Sequence, residues 1–377
     1  MPFRIAFIVG QLSLGGAEQQ LYYLLSGLDR SRIWPVVITL GPTPDEYWMQ
    51  PIAKLSIPVR HVPRSLGRAL RLLRIAHILR VEQVRVVHAW VYHANPYSAL
   101  AGRLAKIPLR LGSMREAYVG LPDKKLIRWV GYRGLDILIT NSAENARQLR
   151  NLNLTRARVE CVPNGVSIPA RLSQTDRNRL KSELGFSDAH IVIGSIGRLD
   201  QNKNYAMLLR AFAAVAATWP ALRLVIIGEG PLRPQLAATV EQLGLAGKVC
   251  LSGVISLAAR YLLAMEVCCL ILYTEGMPNL VMEAAAAGVP VVSTRCGDSM
   301  HLIEHGVSGY LVSPNDDVGM SAHIDLLLAN PEHRLHMGQA GREKMRREFS
   351  VENMVARMTQ VYEQVLAERR LASTSDF

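Results

Sequence analysis

A chain of 377 residues is too long for one ordinary core, so two domains are expected. With 49% hydrophobic and 20% charged residues it reads as an ordinary globular protein, and no apolar run approaches the roughly 20 residues of a membrane span. The formal charge of +12 sits in one half: residues 1–167 hold 23 Lys/Arg against 10 Asp/Glu, and the remainder holds 20 against 21.

The opening run RIAFIVG is too short for a signal-peptide core and reads as a first strand, Arg4 to Gly10. The loop QLSLGG follows, and a helix is expected from near Ala17. Gly15 and Gly16 let the backbone approach a ligand closely, beside a helix start that favours anions. Strands are expected at Val36–Leu40 and Val59–Val62. Ser65–Arg80 has helical periodicity and places Arg68, Arg71 and Arg74 on one side; it either lies on an anionic membrane or packs its leucines on the sheet. Strand Val84–Ala89 opens into HAWVYHAN, which sets His88 and His93 at or beyond its carboxyl end. Arg115 and Glu116 follow another strand. Asp136–Thr140 reads as a buried strand, and Asn141 with Glu144 reads as a capping box for a helix through Arg150. Val159–Pro163 runs into the Asn164-Gly165 turn, and the polar stretch Ser167–Glu183 is the linker expected between domains.

The second half restarts the pattern. Strand Ile191–Ile196 ends at Gly197, and Arg198 and Lys203 flank a turn before a helix from Asn204, an arrangement suited to gripping a diphosphate. No GxxxxGK[ST] loop is present, and no strand leads into GxGxxG, so neither a Walker site nor a nicotinamide site is supported. Strands Arg223–Ile227 and Lys248–Ser252 end in GEGP and Gly253-Val254. The stretch LILYTEGMPNLVMEAAAAGVPVVS then reads as strand, loop, helix, turn, strand, the first strand apolar through Tyr273 and the helix from about Leu280 to Ala287. Glu275 lies in the loop at the strand's carboxyl end and Glu283 one turn into the helix. The amides of Asn279, Leu280 and Val281 form an anion-binding helix terminus between them. Amides for a phosphate and carboxylates for sugar hydroxyls suit a polyhydroxylated phosphate ester. Residues 331–371 are expected to be helical. The five cysteines lack metal-ligand spacing, and buried thiols in a reducing cytoplasm fit them.

Glu275-x7-Glu283 followed by AAAAGVPVVS resembles the signature of the retaining glycosyltransferases of family 4 (glycosyl transferases group 1). GRLDxxK, GGAE, PNGV and GVSGYLVSPND resemble further segments of that family. Met277-Pro278 departs from it, standing where a loop aromatic is usual. The resemblance implies the GT-B fold: two Rossmann-like α/β domains facing each other across a cleft, with a C-terminal helix crossing back to the first. Residues 1–167 with about 355–377 would then bind the acceptor, and 168–354 the nucleotide-sugar.

It also implies roles. Glu275 contacts the donor sugar, Glu283 holds the ribose, and Arg198 and Lys203 take the pyrophosphate with Gly197. Glu229 and Val254 flank the base, Gly15 and Gly16 face the donor, and His93 serves the acceptor side. The function implied is retaining transfer from a UDP- or GDP-sugar to a glycan or lipid-linked acceptor, with no cofactor; the sequence has no Asp-x-Asp motif to hold a divalent metal, so metal-independent transfer is expected. A peripheral site on the cytoplasmic face of a membrane would explain the basic first half. The competing readings are a GT-B nucleotide-sugar epimerase or hydrolase, and a non-enzymatic anion or nucleic-acid binding protein. Nucleic acid is disfavoured, because aromatics are only 6% and no basic run is interleaved with them.

Overall fold

The computed structural model describes residues 2–41, 46–116, 131–151 and 155–374. They form two compact units, Met1–Gly165 with Val351–Phe377, and Val166–Ser350. The divisions expected from the sequence, at 167/168 and about 355, lie a few residues further along the chain. At the crossing points Val166 N donates to Phe349 O (2.8 Å), and Val166 pairs in parallel with Ser350.

Apolar runs without alternation need cover on both faces, and in each unit they form a parallel sheet between two helical layers. The first sheet comprises β1 (Phe3–Val9), β2 (Ile33–Thr39), β3 (Val59–His61), β4 (Val84–Ala89), β5 (Leu109–Met114), β6 (Ile137–Thr140) and β7 (Arg158–Cys161), in the order β3-β2-β1-β4-β5-β6-β7. Phe3, Ile5, Phe7 and Val9 of β1 point to a layer made by the helices Gly16–Gly27 and Val351–Thr374, through Leu21, Leu24, Met354, Met358 and Tyr362. Ala6 and Ile8 point the other way, to Ile75 and Leu79 of helix Gly67–Val81 and Ala101 of helix Asn95–Leu104.

The second sheet comprises β8 (Ile191–Ile196), β9 (Leu222–Ile227), β10 (Val249–Gly253), β11 (Val267–Leu270), β12 (Val291–Thr294) and β13 (Gly309–Val312), in the order β10-β9-β8-β11-β12-β13. Helix Asn279–Ala286 and Met345 cover one face, and helices Tyr205–Thr218, Arg233–Gln242 and Asp317–Ala329 the other. Strand order reverses between β1 and β4 in the first sheet and between β8 and β11 in the second. Open parallel sheets bind ligands at such switch points, beyond the strands' carboxyl ends.

Several local expectations are corrected. The expected linker is half helix: Gln174–Glu183 is helical, with the Ser173 hydroxyl accepting from Asp176 N (3.1 Å). Ser142 rather than Asn141 caps the helix Ala143–Asn151, its hydroxyl accepting from Asn145 N (3.2 Å), while the Asn141 amide bonds Asn164 instead. The strand leading to Tyr273 ends at Leu270. On helix Gly67–Val81, Arg71 does not share a solvated side with Arg68 and Arg74. It is buried, donating to Leu40 O (3.1 Å) with its guanidinium over Tyr97. Leu70 and Leu73 of the same helix face water instead of the sheet.

Candidate active site

The second unit gathers most of the candidate residues along one sheet edge. The loop after β8 and the loop after β11 meet at its switch point. Lys203 Nζ lies 3.4 Å from Glu275 Oε2, and both side chains are largely shielded. Asn202, one residue earlier, staples the two loops. Its carboxamide donates to Thr274 O (2.7 Å) and accepts from Thr274 N (2.9 Å) and the Thr274 hydroxyl (3.1 Å), while its carbonyl accepts from Tyr273 N (3.1 Å). Arg198 points outward, 73% exposed, with Nε 3.6 Å from Asp200. The structure therefore places one cation of the candidate clamp against the Glu275 carboxylate and leaves the other accessible to a ligand.

Gly297 fixes the far side of the Glu275 loop. Its φ of +50° suits glycine, and a Cβ there would overlap the Glu275 carbonyl oxygen. Asp298 N donates to Gly276 O (2.9 Å). The neighbouring Cys296 thiol is pushed up by burial, opposed by a hydrogen bond from the Glu275 backbone, so it stays a neutral thiol beside the site.

Helix Asn279–Ala286 starts directly after Pro278, whose own side chain offers no cap. Leu280 and Val281 bury their side chains in the core, while the helical backbone itself points their amides along the axis toward the amino end, where the Glu275 loop arrives. Glu283 is half-buried on the same helix, close enough to Cys268 for its charge to raise that buried thiol further. Gly288, with φ of +78°, stops the helix as its sequence position predicts.

Three glycines stack along the remaining edge. Gly197 N bonds Ile227 O (2.9 Å), Gly228 N bonds Gly253 O (2.9 Å), and a side chain on Gly228 would overlap the Gly197 carbonyl. Beyond them, Glu229 is held by Arg233 (2.7 Å) and Val254 is exposed. The structure thus lines up Val254, Glu229, Gly197, Arg198, Lys203, Glu275 and the amino end of helix Asn279–Ala286 on one edge.

In the first unit the loop after β1 and the turn after β4 meet at the corresponding switch point. The His93 ring lies against Gly10, where a Cβ would come within 2.5 Å of Nε2. Gly15 is the extended residue before helix Gly16–Gly27, and the Glu18 carboxylate folds back over it. Burial raises the Glu18 carboxyl, its own backbone hydrogen bond opposes this, and the nearby Glu46 and Glu116 add to the rise.

A buried network joins His88 and Arg115, which the sequence shows only singly, to Tyr362 and Ser113, which it does not single out. His88 Nδ1 and Nε2 are each 2.8 Å from a hydroxyl, of Tyr362 and Ser113 respectively. Burial, with Arg115 adding, holds His88 well below the usual histidine range, so it is neutral. Arg115 stacks its guanidinium 3.6 Å from the centre of Trp90, bonds Asn164 (3.1 Å), and is pushed down to about 9 by burial while Tyr362 and Glu18 oppose the shift. It stays a cation at neutral pH. Among the described residues, no cluster of three His, Cys, Asp or Glu is arranged to hold a metal ion.

Asn202 carried a sequence signal that could have singled it out, standing inside the GRLDQNK segment between the two cations.

Comparison with known proteins covers both halves. A family model described as glycosyl transferases group 1 matches residues 176–344, and one described as glycosyltransferase family 4 matches residues 14–168. The chain is similar to the lipopolysaccharide core biosynthesis glycosyltransferase LpsE of Rhizobium meliloti, 26% identical over 357 residues that cover 94% of this chain and 96% of that one. It is similar also to the N-acetyl-alpha-D-glucosaminyl L-malate synthase of Bacillus anthracis, at 24% over 367 residues, covering 94% and 91%. Among solved structures, Anabaena HepE in complex with UDP-glucose superposes with a TM-score of 0.84 at 20% identity, over 96% of this chain and all of that one. With two matched segments, a GT-B architecture and glycosyltransferases as relatives along its length, the chain belongs to glycosyltransferase family 4 and is a glycosyltransferase.

Proposed function

We propose that this enzyme moves a hexosyl group from a UDP- or GDP-sugar to a glycan or lipid-linked acceptor in cell-surface polysaccharide or glycolipid synthesis, with retention and without a divalent metal. The observation that carries the reading is the Lys203–Glu275 pair, set at the switch point of the second sheet beside the start of helix Asn279–Ala286. The donor belongs to the second unit. Glu275 orients the sugar and Glu283 the ribose; Arg198, Lys203 and the amides of Asn279, Leu280 and Val281 take the diphosphate, with Gly197 allowing close approach. Glu229 and Val254 flank the base. Gly15 and Gly16 offer backbone to the donor, and His93 serves the acceptor.

Breaking the anomeric C–O bond leaves a nucleoside diphosphate whose growing charge is the main barrier, and preorganised cations and amides lower it. The acceptor hydroxyl then forms the new C–O bond on the same face, its proton passing to the departing phosphate oxygen. The absence of an Asp-x-Asp segment supports charge stabilisation by side chains rather than a metal. A lipid-linked acceptor at the cytoplasmic membrane face fits the surplus of cations in the first half; no helix among the described residues is long and apolar enough to cross a membrane.

Calorimetric titration of a nucleotide-sugar panel in EDTA, on wild type and Glu283→Ala, tests the donor site. Selective binding of one UDP- or GDP-sugar, lost in the variant, is expected. Folded protein that binds none of them would overturn the reading.

A further inference from the structure

The outward face of helix Gly67–Val81 is unusual for a solvated surface. Leu70, Leu73 and Val81 are 58%, 59% and 65% exposed. With His77 they follow an i, i+3, i+7, i+11 spacing, which puts them on one stripe of the helix, and Arg74 lies beside it. The opposite stripe already fills the core through Ile75, Ile78 and Leu79, so these leucines have no packing role within the first unit. The patch extends to Leu104 of the adjoining helix, also exposed, whose carbonyl accepts from Arg80.

Charge decides what could cover it. Residues 56–81 hold six arginines and no acid, and the next residue, Glu82, is neutralised by Arg4 and Arg60. Arg64, Arg68 and Arg74 enter no ion pair among the described residues. Beside Val81 a groove of 270 Å³ is lined by Arg60, His61, Arg74, His77 and Glu82, with Ile78 among its apolar residues. Apolar side chains ringed by unpaired cations, next to a cationic groove, match a bilayer that offers acyl chains below and phosphate headgroups above. A protein partner would need an equally acid-rich rim around an apolar centre.

We infer that helix Gly67–Val81 docks the enzyme on an anionic lipid surface, inserting Leu70, Leu73 and Val81 while Arg68, Arg74 and the His61–His77 groove hold headgroup phosphates. This deepens the lipid-linked acceptor reading and rests on it for its purpose, though the docking itself can be measured separately.

The test is co-sedimentation of the full chain with vesicles of phosphatidylcholine alone or mixed with phosphatidylglycerol, at low and high salt. Wild type should bind only the anionic vesicles, and salt should weaken binding. Leu70→Ser/Leu73→Ser and Arg68→Gln/Arg74→Gln should each lower partitioning by about tenfold or more. Leu335→Ser, an equally exposed leucine of the second unit, should change nothing. Nucleotide-sugar titration and melting temperature, measured on the same samples, should be unaltered. Failure of donor binding with vesicle binding intact would then count against the proposed reaction and not against docking. The inference is overturned if wild type ignores anionic vesicles or if the leucine variant binds as wild type does. It is also overturned if sedimentation velocity without lipid shows a dimer that the leucine variant abolishes, which would assign the face to a second copy of the chain.

Discussion

Lys203 and Glu275 belong to loops 72 residues apart, and the 3.4 Å contact between them joins the carboxyl ends of β8 and β11. Each group keeps the other in place while both remain beside the start of helix Asn279–Ala286. Replacing Lys203 by Met should weaken nucleotide-sugar binding by about tenfold to a hundredfold, the range for losing a charged hydrogen bond. Glu275→Gln should lose a similar factor, and the double variant little more than either single one, because neighbours in one contact are not additive. Calorimetry of the four proteins closes the cycle.

Asn202 makes no proposed ligand contact, yet it supplies most of the bonds between the two loops. Asn202→Ala should cost about 1–3 kcal/mol of stability, since the Thr274 groups lose partners in a partly buried site. Donor affinity should fall with it, and denaturant titration alongside calorimetry measures both.

Gly297→Ala tests the other side of the same loop. An alanine at φ +50° costs about 1 kcal/mol in backbone strain alone, and its Cβ would push the Glu275 carbonyl away. Donor binding should drop at least as far as in Glu275→Gln, although no proposed ligand group is removed. A binding constant equal to wild type would show that the loop tolerates displacement.

His88 gives a pH signature. The folded chain refuses a proton that the unfolded chain accepts below about pH 6.5. The His88 contribution is therefore complete above that pH and is lost as pH falls, at about 1.4 kcal/mol per unit. His88→Gln should flatten the stability profile between pH 6.5 and 5 by that slope. Tyr362→Phe should lower stability by about 1 kcal/mol, the net worth of one buried hydrogen bond, and leave most of the slope. Denaturant midpoints at several pH values, followed by tryptophan fluorescence, separate the two.

Legibility in the sequence followed the range of the interactions. The strands were readable because both faces of each sheet are covered, leaving unbroken runs such as RIAFIV and RLVII. Glu275, Glu283, Arg198 and Lys203 were readable because each sits in a contiguous segment whose spacing carries its own chemistry. His88 was visible only as a histidine near a strand end: its partner Tyr362 is 274 residues away, and no local pattern announces it. Helix Gly67–Val81 misled for another reason. Leucine, isoleucine and arginine occur all round it, so periodicity could not say which stripe faces the sheet: Arg71, grouped by spacing with Arg68 and Arg74, is buried, and Leu70 and Leu73 are exposed.

Helix Val351–Thr374, synthesised after the whole of the second unit, completes the first. Met354, Met358 and Tyr362 close the layer over Leu21 and Leu24, whereas residues 166–350 are continuous and carry their own core. A chain emerging from the ribosome would meet these conditions in an inverted order: the half made first waits, apolar side chains uncovered, while the half made second can close. Multidomain chains usually finish from the amino end. Here a chain truncated after Ser350 would present a finished second unit attached to an unfinished first one, with a demand for chaperone cover at the amino-terminal sheet.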